Sequence, residues 1–249
     1  MASISGIFDT YSLRAQYWPG MLVLLPAAIS IAVLFPELYK LWNALLGLVV
    51  SCGAAVLPAH YARSRGRIVE KSLVELWGGL PTTKWLRHKD ATIDQHTKDR
   101  YHRHFRNNIP EWEPPTREFE LEYPLEADSR YVSAVRWQRE RTRDKMLFPL
   151  IFSENVSYGF RRNMRGVRWL GLVVSMLGVS LIIAPTIDLE HWDRWPPIDR
   201  LGLSAIVANA LMFLFWLGVV RNNWVEDAAD AYARALLASC DQIAQNDKD

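Results

Sequence analysis

Three clusters interleave basic and aromatic side chains: Lys84, Trp85, Arg87, His88 and Lys89; then Arg100, Tyr101, His102, Arg103, His104, Phe105 and Arg106; then Arg130, Tyr131, Arg136, Trp137 and Arg139. Arginine and lysine neutralise phosphates, and an aromatic ring offers a face on which a base can stack. The mixture therefore suits a nucleotide or a single-stranded oligonucleotide. Lys84, Arg87, Lys89, Arg100, Tyr101, Arg103, Arg106, Arg136, Trp137 and Arg139 are the candidate ligand-binding residues. Two plainer readings compete. Contact with anionic inner-leaflet lipids favours the runs at 63–67 and 161–168, and a pure topology signal needs no ligand at all.

Other chemistry finds little support. Five of the six histidines, at positions 60, 88, 96, 102 and 104, share this region with Asp90, Asp94 and Asp99. On one helix His102 and His104 would point about 200° apart and could not share a metal. His96 and Asp99 fall on one side, but no second ligand cluster joins them, so no metal site and no cofactor are assigned. No HExxH, Walker loop, GxSxG or paired-cysteine motif occurs, and the expectation is a protein that is not an enzyme. Glu118, Glu120 and Glu122 alternate with Phe119, Leu121 and Tyr123, a period of two that predicts a short strand or extended arm. Its carboxylates are expected to pair with Arg136, Arg139 and Arg143, with divalent-cation binding as the alternative. Cys52 and Cys240 are the two cysteines, which implies no disulfide framework.

These clusters must be positioned by the rest of the chain, and the rest is strongly apolar. Residues 21–35, 41–57, 167–187 and 201–220 concentrate the apolar side chains, and the last two carry a long enough charge-free run to cross a bilayer core, for which about 20 residues are needed. Tyr17, Trp18, Tyr39, Trp42, Trp169, Trp192, Trp195, Trp216 and Trp224 sit at the ends of these runs, as in interfacial aromatic belts. The first stretch carries Asp9 and Arg14 ahead of it and no small-residue cleavage site behind it, so it reads as retained. Pro26 should bend it, and Gly171, Ser175 and Gly178 form a small-residue packing face in the third.

Residues 59–168 hold 22 Lys and Arg against 15 Asp and Glu, whereas residues 186–200 hold two Arg against four acids. Basic loops stay in the cytoplasm. The predicted fold is an all-α integral membrane protein with four transmembrane helices and a mostly helical cytosolic domain between the second and third. Its parts are an interfacial segment with helices 1 and 2 over residues 1–58, the basic cytosolic domain over 59–166, helices 3 and 4 with a short external loop over 167–220, and a cytosolic amphipathic helix over 221–249. Both termini then face the cytoplasm. Within the domain, one helix is expected to leave the membrane after Pro58 and stop at Gly78-Gly79. Others are expected to start near Thr92 or Asp94, at Asp128 or Ser129, and after Ser153-Glu154-Asn155. The Val225, Ala229, Tyr232, Leu236 and Ile243 stripe reads as a possible oligomer contact.

No acidic or basic residue lies mid-span, which argues against ion-coupled transport. An apolar pore that opens by wetting remains compatible, lined by Gly47, Ser51, Ser175 and Asn209 and assembled from several chains. This layout, short multi-pass segments joined to a basic domain carrying 84–89, 100–106 and 130–143, resembles the small membrane effectors of bacterial anti-phage defence, of Hailong or cyclic-oligonucleotide type. The resemblance covers architecture and no single motif. It implies a homo-oligomeric channel in the bacterial inner membrane, controlled by a nucleotide or oligonucleotide from a companion nucleotide-synthesising enzyme. The rival from another class is a non-channel scaffold that recruits a protein partner or anionic lipid, marked by an exposed apolar patch such as 146–152 in place of a basic concavity.

Overall fold

The computed structural model describes residues 13–38, 56–184 and 198–246. Among the described residues it is all-helical, with 82% of them in helices and no strand. A π-helical turn, Leu13–Tyr17, leads into α1 (Trp18–Leu34), which a 3-10 turn at Pro36–Leu38 follows. Then come α2 (Val56–Trp77), α3 (Pro81–Lys84), α4 (Gln95–Asn108), α5 (Arg117–Glu122), α6 (Pro124–Arg141), α7 (Pro149–Ile183), α8 (Arg200–Gly218) and α9 (Asn222–Asn246). Three of the described stretches, Leu13–Leu34, α7 and α8, are long and apolar enough to cross a membrane, which marks the chain as a membrane protein. Of the expected second span, most falls outside the described residues, as does most of the external loop.

The chain divides into a membrane unit, Met1–Glu70 with Gly159–Val225, and a polar unit, Lys71–Tyr158 with Glu226–Asp249. It passes between them inside α2, α7 and α9, none of which is interrupted there. In the membrane unit the helices approach through glycine. A Cβ on Gly166 would lie 2.4 Å from the Gly66 backbone nitrogen, one on Gly171 would lie 2.2 Å from the Trp216 ring, and one on Gly20 would lie 2.7 Å from the Pro58 carbonyl carbon. Small residues let backbones meet where no water is present to drive association. Val23, Ala62, Met164, Val167, Leu172, Trp216 and Val220 form the buried cluster around these contacts. The α7 face of Gly171, Ser175 and Gly178 is thus a packing face.

The polar unit has an aromatic core instead: Trp85, Leu86, Tyr101, Phe105, Trp112, Tyr131 and Ala134, closed by Ala233, Leu237 and Cys240 of α9. The apolar stripe of α9 that looked available to another subunit is therefore buried within its own chain, with Val225, Ala229 and Leu236 near or below 3% exposed. Helix ends follow local chemistry. Asp94 caps α4 by accepting the Thr97 amide at 2.9 Å, and Gly78 and Gly79, both at positive φ, turn the chain after α2.

Two expectations about elements are corrected. The 118–123 segment is a helix: Thr116 accepts the Phe119 amide at 3.2 Å and caps α5, and glutamates in the first turn favour the helix N-terminus. A lone strand would leave its backbone groups unpaired, so six residues of alternation could not hold one. Helices α6 and α7 also begin earlier than the caps at Asp128 and Ser153 predicted, each at a proline, Pro124 and Pro149, whose fixed φ suits a first helical turn.

Candidate anion-binding cleft

The longest loop path in the polar unit, from α3 to α4 and from α4 to α5, surrounds a cleft of about 450 Å³ lined by His88, Asp99, His102, Arg103, Arg106, Pro114, Pro115, Thr116 and Arg117. Its position is built by α4, whose outer face presents Asp99, Arg103 and Arg106 at helical spacing, and by the Pro114-Pro115 segment that carries Arg117 across from it. Below them Lys98 is 1% exposed, and its ammonium donates to the carbonyls of Arg87 at 2.7 Å and Asp90 at 2.6 Å. Burial lowers its pKa, while Asp90 and Glu120 oppose that shift.

The two cleft histidines are locked as to tautomer. His88 Nε2 lies 2.9 Å from the Pro115 carbonyl and His102 Nε2 lies 2.9 Å from the Leu86 carbonyl. A carbonyl only accepts, so each Nε2 carries the proton and each Nδ1 is left as an acceptor in the neutral ring. Burial holds the His102 pKa down to about 4, helped by the neighbouring His88 and Lys98 charges. His102 also stacks on Tyr131, centroids 5.5 Å apart, and meets His88 edge-on at 5.4 Å. Glu120 fixes the loop from outside the cleft: its carboxylate accepts the His88 amide at 3.0 Å and the Tyr131 hydroxyl at 2.5 Å. That hydroxyl is held protonated by burial and by Glu120.

Charge in the cleft is cationic. Arg106 is shared with Glu113 at 2.8 Å, and Asp99 accepts from Gln95 at 2.7 Å. Arg103 and Arg117 have no carboxylate partner among the described residues. Guanidinium groups match phosphate oxygens in pairs of hydrogen bonds. The only aromatic rings lining the cleft are the two imidazoles, so it is equipped to hold phosphate more than to stack a base.

Of the ten residues expected to bind ligand, the structure brings Arg103 and Arg106 together here. Arg87 forms a two-bond ion pair with Asp128, both at 2.7 Å, and Arg100 pairs with Asp241 at 3.2 Å. Tyr101 sits in the core, where burial pushes its hydroxyl up to about 12. Trp137 is half-buried beneath the Arg141 guanidinium, 3.6 Å from its ring centre. Lys84 lies near enough to Asp230 to oppose the rise that burial causes in that carboxyl. Lys89, Arg136 and Arg139 are exposed away from the cleft lining. Arg143 pairs with Glu140 at 2.6 Å in place of the acids of α5. Of the expected pore-lining residues, Ser175 and Asn209 are 0% exposed inside the membrane unit, donating to Gly171 O at 2.8 Å and to Ala205 O at 2.8 Å. Gly47 and Ser51 lie outside the described residues. Sequence reasoning missed Arg117, His88 and Asp99 as cleft residues; the Pro-Pro-Thr-Arg run was the available signal, since two prolines stiffen a segment that can carry a charge to a fixed place.

Among the described residues no three metal-ligating side chains gather at one point. Comparison with known protein families, with characterised proteins and with solved structures finds no match. Fold and cleft together define an all-helical membrane protein whose polar unit carries a basic concavity.

Proposed function

We propose that the chain is a four-pass protein of the bacterial inner membrane that takes a phosphate-bearing ligand, a nucleotide or short single-stranded oligonucleotide, into the Arg103–Arg117 cleft, and that homo-oligomers open or close an ion path in response. The observation that carries the ligand class is the pair of guanidiniums outside any ion pair, Arg103 and Arg117, lining one cleft with Arg106. A cavity of about 450 Å³ is within the range of small-molecule sites. Support for a fourth crossing comes from the path of the chain. Helix α1 rises about 20 Å from Gly20 to Leu34 at 1.5 Å per residue, and Pro58, at the start of α2, packs against Gly20. The basic excess of 59–168 supports a cytosolic location for the polar unit.

The test is calorimetric titration of detergent-purified protein with pyrophosphate, AMP and triadenylate. Wild type binds at least one of these, and Arg103→Glu or Arg117→Glu weakens that binding tenfold or more while the protein stays monodisperse. No binding to wild type, or unchanged affinity in both variants, rejects the cleft. Ion flux in liposomes with and without the bound probe tests the channel separately; no conductance in either state from a folded oligomer rejects the channel and leaves the receptor. A scaffold that recruits a protein partner is the second reading, favoured by Met146 and Leu147, 81% and 72% exposed on the turn before α7, and by Leu150, 62% exposed in its first turn.

A further inference from the structure

A second basic site lies in the membrane unit and uses none of the cleft residues. Arg161, Arg165 and Arg168 occupy one face of α7 at i, i+4 and i+7, a column about 10 Å tall. Opposite them is the turn from α8 into α9. Arg168 donates to the carbonyls of Trp216 at 3.0 Å and Leu217 at 3.1 Å, and Arg221 reaches the same Leu217 carbonyl at 3.4 Å. Arg165 donates to the Asn222 side-chain oxygen at 2.8 Å, and Arg161 donates to the Trp224 carbonyl at 2.9 Å. Every acceptor is neutral. Among the described residues no carboxylate pairs with any of these four arginines. Each guanidinium has five N–H groups and uses one or two, so most of the donors and all of the charge are left over.

The level of this cluster along the helices identifies what neutralises it. The charge-free part of α7 starts after Arg168, and the charge-free part of α8, which follows Arg200, ends at Gly218, so two antiparallel apolar runs stop at the same height. The lead-in to α1 stops nearby, since Asn163 donates to the Ala15 carbonyl at 2.7 Å. Beside the arginines, Trp169 is 69% exposed, with Arg168 over its ring at 5.5 Å, and Val173 and Met176 continue that exposed flank of α7 toward the helix centre. An occupant must therefore offer an anion at the arginines and hydrocarbon immediately above them. A soluble nucleotide or an acidic peptide offers only the first. A phospholipid offers both.

We infer that Arg161, Arg165, Arg168 and Arg221 form a binding site for the phosphate of an anionic phospholipid, with Trp169 and Trp224 seated at the headgroup level. The site requires only that α7 and α8 cross a bilayer, and it stands if the cleft binds nothing. The arginines tie α7 to the α8–α9 turn through carbonyls, so lipid phosphate fills the remaining donors and completes that junction.

The experiment reconstitutes the full chain in nanodiscs of equal parts phosphatidylcholine and phosphatidylglycerol, and measures the lipid that co-purifies after mild detergent extraction. Wild type retains phosphatidylglycerol at a several-fold excess over its bulk share, and Arg165→Gln/Arg221→Gln loses at least half of that excess. A retained share equal to bulk, or an unchanged excess in the double variant, overturns the inference. Should the double variant misfold, tryptophan quenching by phospholipids brominated near the glycerol decides the matter in wild type: brominated phosphatidylglycerol quenches more than brominated phosphatidylcholine, and Trp169→Phe removes that difference. Equal quenching by the two lipids overturns the site. Inorganic phosphate and glycerol 3-phosphate at millimolar concentration leave the enrichment unchanged; displacement by either would assign the cluster to a soluble anion and overturn the lipid.

Discussion

In the polar unit Arg87, Arg100, Arg106, Arg130 and Arg143 each meet a carboxylate, whereas in the membrane unit Arg161, Arg165, Arg168 and Arg221 meet carbonyl and amide oxygens, while Arg162 there pairs with Glu70 at 2.9 Å. The difference separates two uses of one side chain. A paired arginine fixes a loop or a helix face and leaves little field beyond it. An arginine bonded to a neutral oxygen is equally well placed but keeps its charge for something outside the chain. Arg103, Arg117, Arg136, Arg139, Arg141 and Arg234 of the polar unit also form no ion pair among the described residues, and of these Arg103 and Arg117 line its cleft. Packing shows the same contrast, since the polar unit fills its interior with aromatic rings and hydrogen-bonded polar groups while the membrane unit brings backbones together at glycine.

The largest effect expected from either region is Gly166→Leu. Any Cβ there meets the backbone of Arg65 and Gly66 at 2.4–2.8 Å, and backbone cannot rotate away as a side chain would. The penalty should exceed the roughly 1–3 kcal/mol usual for overpacking, because α2 and α7 must separate. Loss of the monodisperse peak on size exclusion in detergent is the expected result. A variant that stays folded and melts within a few degrees of wild type would remove glycine contact as the organising feature of the membrane unit.

His102 makes the corresponding claim for the polar unit. Its ring is 5% exposed and faces His88, Lys98 and Asp99, and its pKa falls from 6.5 to about 4 on folding. The unfolded chain takes up this proton below about pH 6.5 and the folded chain does not. Stability is therefore complete above that pH and declines as the pH falls toward 4. The full difference is about 3 kcal/mol, of which about 2 is lost by pH 5. Comparing thermal unfolding of wild type and His102→Gln at pH 7.5 and 5 isolates this contribution from the carboxylates that titrate in the same window; equal pH dependence in the two proteins would show that His102 ionises freely. Arg87→Met comes next. It strands Asp128 without its two 2.7 Å bonds in a partly buried site and should cost about 2 kcal/mol, less than a fully buried pair. A loss near zero would mean that the pair is held no more tightly than one on the surface.

Three of the expected membrane helices and most of the polar helices were legible because their signals are local. Asp94 sits ahead of the α4 pattern, Gly78-Gly79 follows α2, and charge-free runs need no partner to be recognised. The alternation at 118–122 misled because its period is shared by any short Glu-rich helix, and only Thr116 and the absence of a pairing strand decide between them. The cleft was legible only in part. Arg100, Tyr101 and Arg103 look alike in sequence, yet Asp241 lies 141 positions from Arg100 and neutralises it, the core takes Tyr101, and Arg103 is left unpaired. Such pairings depend on tertiary contacts between distant segments, and no spacing rule along one helix reveals them.

The gentlest perturbation is also the most discriminating for the cleft. Glu113 is exposed and holds Arg106 through one 2.8 Å contact, so Glu113→Gln should change stability by less than about 1 kcal/mol. It releases a third guanidinium without touching Arg103 or Arg117. If the cleft receives phosphate, pyrophosphate affinity should rise about fivefold, the equivalent of roughly 1 kcal/mol, and the gain should shrink as salt is raised. Arg103 and Arg117 alone would then suffice for binding while Glu113 limits its strength. An unchanged affinity would place the anion at the other two arginines and out of reach of Arg106, and a weaker one would mean that Glu113 holds Arg106 in its binding position and that pairing, in this one case, serves the site.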